Sequence, residues 1–137
     1  MLFVSESQPV NVTAVSTIPY SDDVLDPSVS LLQLIDVSKI LDVPKSRVEQ
    51  MLRERQLLAV KRNRVPGVPE VFLNASGRQI VKGLPGLLAV LHDGGFDDEE
   101  ILKWLFESDD SLPGRPIDAM HGDLMREVIR RAQAMAF

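Results

Sequence analysis

Between Leu34 and Arg64 the apolar positions first follow a helical period, break, resume on a second helix and then turn strand-like. In LIDVSKIL, Leu34, Val37 and Leu41 form one stripe about two turns long, with Ser38 as the small residue that lets a second helix approach. The stripe stops at Asp42, Val43 plugs the corner, and Pro44 suits a helix start because its φ is fixed and its missing N–H is no loss there. On the second helix Val48, Met51 and Leu52 point one way. Ser46, Gln50 and Arg53 lie opposite them, next to Lys45 and flanked by Arg47, Glu49 and Glu54. Two short helices across a tight corner, the second with a polar outer face able to enter a groove, read as a helix-turn-helix.

After the second helix, Leu57–Arg62 and Glu70–Leu73 are β-prone runs separated by NRVPGVP, where Pro66, Gly67 and Pro69 predict a turn. The resulting hairpin is a wing carrying Lys61, Arg62 and Arg64, cations suited to phosphates. Helix, turn, recognition helix and basic hairpin in this order resemble the DNA-binding domains of the MerR-like and excisionase-like proteins. Asp42 stands where many helix-turn-helix turns have Gly, and Asp tolerates the left-handed conformation better than most residues.

Downstream the pattern is helical. Ser76–Val81 is expected to begin a helix that Gly83 and Pro85 interrupt. Leu84, Leu87, Leu88 and Leu91 then fall at core spacing until Asp93-Gly94-Gly95 ends the helix. Asp97 caps the next one, with Asp98, Glu99 and Glu100 in its first turn and Ile101, Leu102 and Leu105 inward. Four clustered acids invite a metal, but they lack the loop spacing and glycine of a calcium-binding loop, so capping explains them better. Trp104 and Phe106 read as core or interface, and the last helix is expected near Asp123–Ala136 with Val128 and Ala132 inward. That helix is able either to join two copies in a homodimer or to finish the core.

Residues 1–30, with Pro9, Pro19, Pro27, many hydroxyls and the acids Asp22, Asp23 and Asp26, read as a flexible N-terminal arm, with Val10–Ile18 as an alternative strand. The expected organisation is this arm, a winged helix-turn-helix over 31–75, and a helical part over 76–137 packed on it as one globular unit. The fold class is mainly α with a small β-hairpin wing.

Composition changes the picture in one respect. The 137 residues are 45% hydrophobic and carry a net charge of −5, which taken alone argues against nucleic acid. The distribution reverses that: residues 39–82 hold ten Lys or Arg against four Asp or Glu, a balance of +6, and the rest hold five against sixteen, a balance of −11. A basic block in an acidic chain is the footprint of a DNA-binding module joined to something else. The absence of Cys fits a reducing compartment, and with no apolar run of membrane length or secretory leader the expectation is a cytoplasmic, nucleoid-associated protein with no membrane contact. His92 and His121 have no metal or triad spacing, and Gly94-Gly95 is no phosphate loop, so neither an enzyme nor a cofactor is expected. His92 is a natural partner for a helix C-terminus.

GRPIDA at 114–119, between the helix ending at Phe106 and a terminal helix, is similar to the C-terminal domain of Xre-type antitoxins. DDVLDP, the helix-turn-helix, LPGLLAVLHDGGF, WLF, GRPIDAM and the ending RRAQAMAF together resemble an actinobacterial family of winged helix-turn-helix DNA-binding proteins. In that family the arm is a substrate of a membrane serine/threonine kinase. The resemblance implies double-stranded DNA as partner, a role in transcription regulation, and a phosphoacceptor for which Thr13 and Thr17 are the candidates. Lys45, Ser46, Arg47, Gln50, Arg53, Lys61, Arg62 and Arg64 are the expected DNA contacts. A protein-binding adaptor or antitoxin-like partner is the alternative.

Overall fold

The computed structural model describes residues 18–74 and 76–137. Its first element is not a free arm. Ser21–Asp22 forms a short strand, β1, parallel to Val60–Arg62, β3. Ile18, Tyr20, Val24 and Val29 pack on the core, and Leu25 is buried in it. Assigning residues 18–30 to a flexible arm is thus corrected: Asp23 and Asp26 cap tight turns through the backbone N–H groups of Leu25 and Ser28, so polar residues that look like linker shape a compact loop. The rest of the expected arm, with most of Val10–Ile18, lies outside the described residues.

Leu31–Leu32, β2, leads into helix α1, Leu34–Leu41, whose stripe buries Leu34 and Val37. Asp42 ends it at φ 57 and ψ 48, the left-handed conformation expected at this corner. Ser38 donates to the Val43 carbonyl at 2.6 Å, tying the turn to the helix it leaves. Helix α2, Lys45–Arg53, follows with Pro44 as its N-cap residue, and Val48, Met51 and Leu52 are buried in the core that it shares with α1. Each of these side chains contributes about 1.5–3 kcal/mol by leaving water.

The wing departs from expectation. Val65–Pro69 is not a turn but a strand, β4, antiparallel to β3, and the turn is Asn63-Arg64. Both turn residues have positive φ, 51 and 68, as a two-residue hairpin of this twist requires. Prolines are tolerated because the neighbouring strands are short. Arg62 and Val65 flank the turn and exchange hydrogen bonds, which turns the Pro66 nitrogen away from β3. On that side β2 has already ended, at Leu32 opposite Val68. Gly67 is required because a Cβ there would sit 2.8 Å from the Leu31 Cβ. The sheet order is β1-β3-β4-β2.

Glu70–Phe72 is a 3₁₀ turn, not a strand. The helix expected from Ser76 is instead a second hairpin, in which Leu73–Asn74 (β5) pairs with Gln79–Ile80 (β6). The Asn74 side chain accepts from the Gly77 N–H and the Ser76 hydroxyl, so local side-chain bonds replace a helical turn. Arg78, across that turn, donates to the Lys39 carbonyl at the end of α1.

Helix α3, Leu84–Asp93, buries the four expected leucines. Helix α4, Asp98–Phe106, opens with a complete capping box between Asp97 and Glu100, which accounts for the acid cluster. Pro116–Ala119 forms the short α5, and Met125–Ala136 the last helix, α6, burying Val128 and Ala132 against α3. Phe106 meets Phe72 with ring centroids 5.8 Å apart, so the helical part and the winged part share one core.

Candidate nucleic-acid interface

Helix α2 is anchored by its three buried residues, and this fixes which side chains face solvent. Lys45, Ser46, Arg47, Gln50 and Arg53 are all exposed, on the side away from the core. A cleft separates the start of this helix from the wing, with Tyr20, Ile35, Lys45, Glu49, Val65 and Pro66 among its walls. Helix and wing thus frame one concave face.

The wing divides the three cations expected on it. Lys61 and Arg64 are exposed, with Arg64 in the tip turn. Arg62 is half-buried and turned to the other task of folding: its Nε donates to Asp23 at 2.5 Å, and its other nitrogens reach the carbonyls of Asp26, Pro27 and Val29. Arg62, expected among the DNA contacts, is thus engaged within the fold. The Arg62 guanidinium holds the Asp23 carboxyl below the usual carboxylate range, chiefly through their hydrogen bond.

Two residues outside the expected DNA contacts organise the face. Tyr20 lies under Lys61, whose Nζ is 5.7 Å from the ring centroid, and burial followed by the nearby Glu49 carboxylate pushes its phenol up. It joins the point where the N-terminal segment enters the fold to both wing and helix. As the chain's single Tyr it offered no periodic signal. Glu54, at the C-terminal end of α2, accepts from the Gln50 amide at 2.7 Å and from Gln56 at 3.1 Å, with Arg47 3.8 Å away. Arg53 in turn donates to the Gln50 oxygen at 3.1 Å. The spacings of four and seven residues from Gln50 and Arg47 to Glu54 carried this signal.

Behind the face, Arg55, at φ 61 just past the helix, donates to Asp98 of α4 at 2.5 Å, and the His92 ring lies 3.1 Å from the same carboxylate. His92 therefore faces the first turn of α4 and not merely the end of its own helix. Thr13 and Thr17 lie outside the described residues.

Comparison with known proteins agrees with this arrangement. The model of the DNA-binding protein Rv2175c wHTH domain matches residues 17–73, and that of the Rv2175c C-terminal domain of unknown function matches residues 81–136. The DNA-binding protein Rv2175c of Mycobacterium tuberculosis is 49% identical over 135 residues, covering 90% of this chain and 92% of its own. The NMR structure of Rv2175c superposes with a TM-score of 0.78 at 48% identity, covering 88% of this chain and 90% of that one. A winged helix-turn-helix followed by a small helical domain, matched along nearly its whole length, places this chain in the Rv2175c family.

Proposed function

We propose that the chain is a DNA-binding transcriptional regulator that lays helix α2 in the major groove and rests its wing on the phosphate backbone. The observation that carries this reading is the exposed row Lys45, Ser46, Arg47, Gln50 and Arg53 on a helix whose other side is locked in the core. Arg suits guanine and Gln suits adenine in the major groove, whereas Lys61 and Arg64 suit phosphates. The relative's name as a DNA-binding protein supports the same reading, and binding rather than catalysis is the activity proposed, at the nucleoid. Titration with duplex DNA across a salt series tests it. The logarithm of the affinity should fall linearly with the logarithm of salt concentration, with a slope of about −0.9 for each phosphate neutralised. No binding at low salt would leave the adaptor reading in its place.

Regulation by a serine/threonine kinase acting on Thr13 or Thr17 fits the point at which the arm joins the fold. Residues 20–22 lie beside the wing strand, so a phosphate of about −1.5 to −2 charge on the arm would be tethered near Lys45 and Lys61. At an effective concentration on the order of millimolar it would compete with DNA.

A further inference from the structure

The Gln50 side chain is held from both ends by groups of fixed hydrogen-bonding character. Arg53 can only donate, and it meets the amide oxygen; Glu54 can only accept, and it meets the amide nitrogen. Turning the amide over would set an NH₂ against a guanidinium and an oxygen against a carboxylate, so its orientation is determined by its neighbours. Glu54 is itself steadied by Gln56 and by the nearby Arg47, and its backbone N–H is bonded to the Gln50 carbonyl. A glutamine amide has two N–H groups and two oxygen lone pairs. With one of each engaged inside the protein, one donor and one acceptor remain, and Gln50 lies on the exposed side of the helix.

From this arrangement we infer that Arg53 and Glu54 are positioning residues that set Gln50 to read adenine, a specificity device within the proposed DNA interface and resting on that reading. Adenine presents an acceptor, N7, beside a donor, N6, in the major groove, which is the complement of one fixed donor and one fixed acceptor. Guanine presents two acceptors there, N7 and O6, and leaves the Gln50 oxygen facing another oxygen. A freely turning amide accepts adenine in either sense of approach; a fixed one accepts it in one sense only. Arg53 therefore acts through Gln50 as well as through any phosphate it meets, and Glu54, one of two acids beside the exposed row, acquires a reason.

The test is selection of bound duplexes from a random pool by the full chain, followed by titration of the selected duplex and of versions altered at the enriched adenine. With the natural protein, guanine or 7-deaza-adenine at that position should weaken binding about ten-fold or more. In Gln50→Ala that discrimination should vanish. In Glu54→Ala and Glu54→Gln it should shrink to about three-fold or less, while random duplex binds more tightly because a negative charge has left the DNA face. Glu54 variants that keep the full adenine discrimination overturn the inference and leave the DNA-binding reading standing. A natural chain that binds duplex but enriches no sequence overturns the inference alone, and one that binds no duplex at low salt overturns both.

Discussion

Arg64 occupies the second position of the wing turn at φ 68, a conformation in which an L side chain crowds its own carbonyl, so Arg64→Gly separates folding from binding. Leaving the left-handed region unstrained should recover roughly 1–2 kcal/mol, from which the greater entropy of Gly in the unfolded chain removes about 0.5–1 kcal/mol. The net gain is about 0.5–1 kcal/mol, or a rise in Tm of about 2–3 °C for a domain of this size. The same change removes a wing cation, so the salt slope for DNA should become shallower by about 0.9. Arg64→Ala is the control, since it loses the cation but keeps the strain. Thermal melts and DNA titrations at four salt concentrations on the three proteins give both quantities. Equal stability for the Gly and Ala variants would refute the strain argument, and an unchanged slope in both would show that Arg64 touches no phosphate.

Arg47→Ala or Gln50→Ala should cost about 1–3 kcal/mol on a preferred duplex and little on random DNA, as read by competition titration. Arg62→Ala should instead lower stability by about 1–2 kcal/mol in urea melts with little change in salt slope, because its partners are Asp23 and backbone carbonyls. The Asp23 carboxyl is depressed in the folded state, so its contribution is present above its unfolded pKa and lost as pH falls through the folded value; melts at pH 6 and about pH 3 should show natural protein and Asp23→Asn converging at the lower pH. A Thr13→Asp, Thr17→Asp double variant should bind DNA more weakly than a chain beginning at residue 18, with the gap closing as salt rises; equal affinity at low salt would remove the electrostatic switch.

The helix-turn-helix and the start of α4 were legible because their logic is local: the apolar stripe, Asp42 able to take φ 57, and the capping box from Asp97 each lie within a few residues. What escaped depends on neighbours distant in sequence. Pro66 and Pro69 resemble turn residues until their missing N–H groups are seen to face places where β2 and β3 have ended. Residues 18–30 resemble a linker until Arg62, 39 positions beyond Asp23, gathers their oxygens. That pairing also shows what counting cations leaves out: charge marks a residue able to meet phosphate but does not say whether a carboxylate has met it first. Of the expected contacts the structure leaves Lys45, Ser46, Arg47, Gln50, Arg53, Lys61 and Arg64 exposed, while Arg62 is half-buried on Asp23.

The two-residue strand β1 has a consequence for solubility. It lies on the outer side of β3, at the rim of the sheet, where Ser21 donates to the Ala59 carbonyl at 3.0 Å. Without it β3 would offer a row of unpaired amides and carbonyls, a template on which another chain's strand can dock. Trimming the chain past Asp22 should therefore do more than remove a tether: it should let copies stick edge to edge through their wings, which light scattering of trimmed and full chains would show.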